Sequence, residues 1–407
     1  MGIRISPLGL GVFLFSLALF NSIAGLAGPL SRLLVLFPFF VFGSSLLQVW
    51  YSYMQFGFHQ EFSSDHPVRG ESIQYHFVIH QEGLLPSCLI LCRFSFKGPG
   101  LTGINERSVF LGSRESQSWS FSFRCAYRGV YAVGLEHILF KDSLGLFELS
   151  YRVEPRMFYV YPELIPLSSS LEYLFTGSGE TGTNPGGLQD DVGVFDSVYP
   201  LRHGEGGRQI AWKRFAATGI PSALKTARAS AQSLRIVLDL RPAPFNKMEE
   251  ARLLAEDLAV SLVFSVLRYM AERGIPAELF AGCETGPYFI SEMKSFEWLY
   301  SRSTNILFTE TSLPRAAWEG DKTTLLVSLL PPLYEAGSQE KDFYSIIEQR
   351  LRGGYRILFI SVPGPEFVLD AQKDALHIAE LLPFSPWIPC RVLDTRQGSE
   401  GIAHVFE

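Results

Sequence analysis

Charge is scarce in this sequence, and neither sign dominates. Asp, Glu, Lys and Arg make up 19% of the 407 residues, and 35 Lys and Arg against 41 Asp and Glu leave a net charge of −6. A dedicated nucleic-acid binder carries a basic excess, so the composition argues against nucleic acid as a partner. Cysteine is also sparse. Five residues, an odd number in a long chain, do not make a disulfide framework. Catalytic motifs are missing too: no Gly-x-Ser-x-Gly elbow and no His-Glu-x-x-His occurs. The eight histidines are scattered without ligand spacing. What is plentiful is apolar: 47% of residues are hydrophobic and 33 are Phe, which excludes wholesale disorder.

The apolar excess is concentrated at the start. Leu8 to Ala27 carries no charge, a turn runs from Gly28 to Arg32, and Leu33 to Trp50 is a second uncharged run containing Pro38 and Gly43. About twenty helical residues cross roughly 30 Å of hydrocarbon. The pattern therefore predicts a transmembrane helical hairpin over 1–54, with spans at about 8–27 and 33–50. Trp50, Tyr51 and Tyr53 would stand in the interfacial belt. The competing reading is a cleaved signal peptide, marked by Arg4 and by Ala24, Gly25 and Ala27. Its apolar core would be shorter, and no second span would follow. The expected location is the cell membrane, multi-pass, with the lipid bilayer as one partner.

Beyond Trp50 the period changes to two. Ile73, Tyr75, Phe77 and Ile79 alternate with polar neighbours, as do Trp119, Phe121, Phe123 and Cys125 with Ser118, Ser120, Ser122 and Arg124. Strands of this kind predict a β-sandwich module over 55–163. Cys88 and Cys92 share one face of a strand and read as buried apolar thiols rather than zinc ligands. A Gly/Ser-rich linker follows over 164–198. It lacks the Gly-Lys-Ser/Thr end of a phosphate loop. From Leu234 onwards, strand and helix alternate. Leu234 to Leu240, Ala277 to Ala281, Thr324 to Leu330 and Tyr355 to Val362 are strand candidates. Glu249 to Arg273, Phe343 to Arg352 and Ala371 to Leu382 have helical spacing, and Gly274 is a stop signal. The alternation predicts a mainly parallel α/β sheet over 234–407. Ligands in such sheets sit outside the carboxyl ends of the strands, where Asp239 lies.

Between linker and sheet, 199–233 holds a glycine-rich turn, Gly204 to Gly207, entering a short strand. Ile210 and Trp212 would share a face framed by Arg208 and Lys213. With Arg202, His203 and Arg214 these residues form the densest positive cluster in the chain. Such a cluster suits an acidic partner or phosphate. It equally suits local pairing with Asp190, Asp191, Asp196 or Glu205.

This segment resembles the signature of the bacterial family called domain of unknown function fifty-eight, approximately Gly-Asp-x-x-Arg-x-Ile-x-Trp-Lys. Gly204, Glu205, Arg208, Ile210, Trp212 and Lys213 match it, with Glu in place of Asp. Arg128-Gly-Val-Tyr131, Asp142-Ser-Leu-Gly-Leu-Phe147 and Val160-Tyr-Pro162 are similar to further landmarks of the family, in the same order. The resemblance implies two spans, a β module, the signature and a von Willebrand factor A-like (Rossmann-like) α/β domain. It also implies a chain facing mostly the cytoplasm and a non-enzymatic role. That role is a membrane-tethered scaffold or adaptor that engages a MoxR-type AAA+ ATPase, with other von Willebrand factor A proteins, in the assembly or maturation of other complexes. No cofactor is implied. The metal site of von Willebrand factor A domains, Asp-x-Ser-x-Ser, is degenerate here, since Asp239-Leu-Arg-Pro-Ala243 keeps only the aspartate, and no metal is expected at Asp239. Two alternatives stand beside the scaffold. One is a hydrolytic or phosphate-handling enzyme using His203, Glu205 and Asp239; the other is an envelope-facing binding module.

Overall fold

The computed structural model describes residues 2–5, 7–24, 28–167, 195–200, 222–226, 234–243, 248–282, 286–313, 322–333, 343–352, 357–381 and 390–406. They fall into two compact units, Met1–Pro162 and Glu163–Glu407.

In the first unit, strand β1 (Gly2–Ile5) precedes helices α1 (Pro7–Ala24) and α2 (Gly28–Met54). Eight strands follow: β2 (Phe56–Phe62), β3 (Ser72–Gln81), β4 (Leu89–Gly98), β5 (Leu101–Val109), β6 (Ser116–Arg124), β7 (Gly129–Lys141), β8 (Phe147–Arg152) and β9 (Arg156–Val160). They form two antiparallel sheets, β2-β3-β6 and β1-β8-β7-β4-β5, with β9 also on β7. Period two decides the faces, because successive Cβ atoms point to opposite sides of a strand. Ile73, Tyr75, Phe77 and Ile79 are wholly buried, as are Ile90, Cys92 and Phe94 on the facing sheet. Rings meet across the two layers: Tyr75 lies 6.1 Å and Phe77 5.0 Å from Phe94, both edge-on. Each such ring contributes roughly 1.5–3 kcal/mol by leaving water.

The second unit contains a ribbon of β10 (Phe195–Pro200) and β11 (Ser222–Thr226), and a six-stranded sheet. The sheet is made of β12 (Leu234–Leu238), β13 (Ala277–Ala281), β14 (Tyr288–Ile290), β15 (Thr324–Ser328), β16 (Ile357–Ser361) and β17 (Cys390–Val392). Their spatial order is β14-β13-β12-β15-β16-β17. Helix α3 (Glu249–Glu272) buries Leu258, Leu262 and Leu267 in one hydrophobic cluster, together with Phe296 of α4 (Met293–Tyr300) and Ile402 of α7 (Glu400–His404). A second cluster takes Ile346 of α5 (Phe343–Arg352) and Ile378 of α6 (Val368–Leu381). α3 ends where Gly274 adopts φ +67°, and Ile275 N–H then donates to Met270 O at 3.0 Å. This left-handed turn meets the helix's last carbonyls.

Two sequence expectations are corrected here. Among the described residues, no helix is long and apolar enough to cross a membrane. The transmembrane hairpin and the multi-pass membrane location therefore do not stand. At 1.5 Å per residue the 18 residues of α1 reach about 27 Å, short of the roughly 30 Å of a hydrocarbon core. The carboxyl-terminal half of α2 is spent on the sandwich. Val49 is buried, Phe42 packs 4.5 Å from Phe147, and Tyr53 meets Phe140 edge-on at 5.9 Å. Buried Ser52 accepts the Cys88 N–H at 2.8 Å, and the Tyr51 hydroxyl accepts that of Leu85 at 3.2 Å.

The expected fold class is corrected as well. The sheets are mostly antiparallel, with nine antiparallel strand pairings and four parallel ones among the described residues. The parallel pairings are confined to one sheet, which closes on the antiparallel edge strand β14. This is a mixed α+β assembly and not a clear von Willebrand factor A or Rossmann fold. Part of the reason is local: β2-β3, β4-β5 and β7-β8 are consecutive strands whose connections are too short for the crossover that parallel neighbours need.

Candidate functional site

The carboxyl ends of β12 and β15 converge on Asp239. Its N–H continues the ladder by donating to Val327 O at 2.9 Å, and its side chain is wholly buried. Arg241, two residues on, turns back onto it. Arg241 Nε lies 3.0 Å from Oδ1 and 3.2 Å from Oδ2, Nη2 lies 3.0 Å from Oδ2, and the Arg241 backbone N–H reaches Oδ1 at 3.1 Å. Ser328, at the end of β15, donates its hydroxyl to Oδ2 at 2.6 Å and accepts the Leu330 N–H at 3.1 Å. The guanidinium also lies 5.2 Å from the ring centre of Phe343, which packs on Phe359 at 4.5 Å. Burial in low dielectric makes each of these bonds stronger, and costly to break.

This arrangement does not fit a divalent cation. A hard cation gathers about six oxygens. Here both carboxylate oxygens are taken by N–H and O–H donors, and a fixed positive charge lies against them. Leu240, Pro242 and Ala243 supply no side-chain oxygen. Asp239 is thus a structural anchor for the loop that leaves β12.

The other sequence-derived residues separate into two groups. Gly204, Glu205, Arg208, Ile210, Trp212 and Lys213, together with His203, lie outside the described residues. The ribbon flanking them is described: β10 and β11 pair antiparallel, and Pro200 stands opposite Ser222. The three remaining landmarks fall in the first unit, where they shape turns. The Tyr131 hydroxyl lies 2.8 Å from Tyr127 O and 3.0 Å from Pro99 O, its single proton shared between the two carbonyls, and pins the loop before β7, while Gly129 takes φ +131°. Asp142 accepts the Phe147 N–H at 2.9 Å and the Leu144 N–H at 3.2 Å, with Gly145 at φ +71° between them. Tyr161, in the third landmark, forms an isolated parallel bridge with Val68.

Sequence reasoning missed two features of the second unit. Arg350 on α5 is 1% exposed, yet it donates to Thr324 Oγ1 at 2.6 Å and to the Lys322 carbonyl. Its position inside a helical apolar stripe, four residues after Ile346, is the sequence signal for its burial. Glu278 on β13 pairs with Lys322 and, at 3.7 Å, with Arg235.

Among the described residues the thiols are sequestered. Cys88, Cys92, Cys125 and Cys390 are free and buried. Desolvation pushes the Cys92 thiol up to about 12 and, with Glu71 nearby, that of Cys125 up to about 11. Burial raises those of Cys88 and Cys390 as well. None of the four is poised as a nucleophile.

Comparison with known proteins adds no family. No protein-family profile matches the chain, and no curated protein matches it in sequence. Solved structures resemble parts of it only weakly. The alkylpurine DNA glycosylase AlkC of Pseudomonas fluorescens, solved with DNA containing an abasic site analog, is 14% identical over 35% of this chain and 41% of that one, with a TM-score of 0.18. A β-glucosidase of Erythrobacter marinus is 8% identical over 26% and 15% of the two chains, at 0.17. The carboxyl-terminal domain of wzt is 8% identical over 27% of this chain and 75% of that one, at 0.21. The matched region thus spans less than half of the first two. Similarities this weak carry no argument about fold or activity.

Proposed function

We propose that the chain is a non-enzymatic scaffold or adaptor that engages a protein partner, a MoxR-type AAA+ ATPase, in the assembly or maturation of other complexes. The resemblance to the domain of unknown function fifty-eight family supplies the class of partner. The single observation that favours a binding role is the saturation of Asp239. The mouth of a parallel-stranded sheet is where an α/β protein places a reacting carboxylate or a metal. Here that carboxylate is committed to Arg241 and Ser328. A general base needs a free lone pair within about 3 Å of the proton it takes, and this one offers none without first breaking a buried ion pair.

The test is capture of the ATPase. The full chain, crosslinked in a lysate containing ATP and then purified, is expected to bring down an AAA+ ATPase in stoichiometric amounts. Turnover of a substrate by the purified chain alone would overturn the reading, as would crosslinked eluates without any such ATPase.

A further inference from the structure

Beside the Asp239 cluster, the second unit holds a cavity of about 480 Å³, within the range of small-ligand sites. Its floor is apolar, from Leu279 on β13, Leu299 on α4 and Ile306, while Tyr288, Arg302 and Asn305 bring polar groups to its wall. Three features at this end of the sheet indicate what it takes.

The first is charge. Arg302 is exposed, and its guanidinium lies 4.0 Å from the ring centre of Trp298. Stacking of this kind holds a cation in place. Among the described residues no carboxylate forms an ion pair with it. A fixed planar fork of N–H donors beside an apolar hollow matches a carboxylate attached to an apolar group.

The second is the rim. Leu307 is 67% exposed and Trp298 49%. Tyr288 and Trp298 lie 6.3 Å apart, centre to centre. Trp, Tyr and Arg are the residues that dominate protein–protein binding energy. An organic acid small enough for the cavity would leave this rim in water, whereas a polypeptide would cover it.

The third is the sheet edge. β14 pairs with β13 and ends the sheet on this side among the described residues. Leu279 and Tyr288, opposite one another in that ladder, both line the cavity. A short edge strand next to a pocket is the arrangement in which an extended peptide adds to a sheet and inserts a side chain.

We infer that this cavity and its rim take the free carboxyl end of a polypeptide whose last side chain is apolar. That side chain enters the Leu279–Leu299–Ile306 floor, the terminal carboxylate meets Arg302, and the preceding residues run along β14 and cover Trp298. The inference rests on reading the chain as an interaction protein and gives that reading a docking mode.

The experiment selects a display library of random hexapeptides with free carboxyl ends on the full chain, then measures binding of labelled versions by fluorescence anisotropy. Enriched peptides are expected to end in Leu, Ile, Val or Phe. Amidation of the carboxyl end should weaken them at least tenfold, as should Arg302→Gln. Leu307→Glu, which places a negative charge on an exposed rim position, should weaken them several-fold while leaving the thermal unfolding curve unchanged. The inference is overturned if no apolar final residue is enriched, or if amides bind within twofold of the acids. It is overturned equally if folded Arg302→Gln binds as the parent does. Capture of an ATPase by a chain that selects no peptide would remove this docking mode and leave the adaptor reading intact.

Discussion

Tyr75, Phe77, Phe94 and Phe140 fill the centre of the first unit, each wholly buried, in a mesh of ring contacts. The second unit buries Leu and Ile to the same degree and hides more charge: Asp239, Arg241, Asp257, Glu278 and Arg350 are each less than a tenth exposed, against Arg128 and Asp142 in the first unit. The difference lies in what each core demands. Aromatic packing asks only for volume and shape, and it tolerates conservative change. Buried charges demand their partners, because an ion left alone in low dielectric costs more than the pair contributes. The aromatic core of the first unit should therefore degrade gradually under substitution, and the more numerous charged positions of the second abruptly.

The largest expected effect is at Asp239. Asp239→Ala leaves Arg241 buried without its carboxylate and should cost about 3–5 kcal/mol. The two units carry separate reporters: Cys390 lies in the second, and Cys92 and Cys125 in the first. A urea series read by thiol labelling, in a Cys283→Ser background, should show Cys390 reacting at lower urea while Cys92 and Cys125 stay where they were. The double change Asp239→Leu with Arg241→Met removes both ions and should recover most of that loss. If it loses as much as the single change, the unpaired ion is not what makes this position of the second unit sensitive.

Next comes the seat of α2. Ser52→Ala leaves the buried Cys88 N–H without its acceptor, a loss of roughly 1–3 kcal/mol. It should be visible as earlier labelling of Cys88 with Cys390 unmoved. Smaller again is Tyr131→Phe, which deletes the hydroxyl bonds to Tyr127 O and Pro99 O and should cost about 1 kcal/mol in the first unit. An unchanged urea midpoint would mean the loop is held by other contacts.

The smallest effect is one of pH. Asp394 is held below the usual carboxylate range, chiefly by hydrogen bonds from Arg396. A depressed carboxyl pKa adds stability above its unfolded value, near 3.9, and that stability is lost as pH falls through the folded value. The parent should therefore exceed Asp394→Asn in stability at pH 6, and the gap should close as pH drops below about 4. A gap that persists at low pH would assign the effect to packing instead.

Much of the secondary structure was legible. The period-two run at Ile73 to Ile79 and the helical spacing of Leu258 and Leu262 are steric consequences of strand and helix geometry. Gly274 stops α3 because its backbone turns left-handed there. Short elements were not legible: the three residues of β14 and of β17 are too few to show a period. The site was half legible. Asp239 stood out at a strand end, but its hydroxyl partner Ser328 comes from 89 residues away, and no local pattern announces such a meeting.

Local sterics and periodicity in the sequence alone determined which stretches became strand or helix and which faces had to leave water. They could not determine what would receive those faces. An apolar run states that its surface avoids water, and it states this identically for lipid and for protein; only the tertiary structure laid the second half of α2 against the β-sandwich. In the same way, a lone aspartate at a strand end fits a metal ligand, a base or an anchor. Its role was decided by the arginine and serine that the folded chain brought within hydrogen-bonding distance, because the chemistry of a carboxylate is set by the groups its oxygens meet.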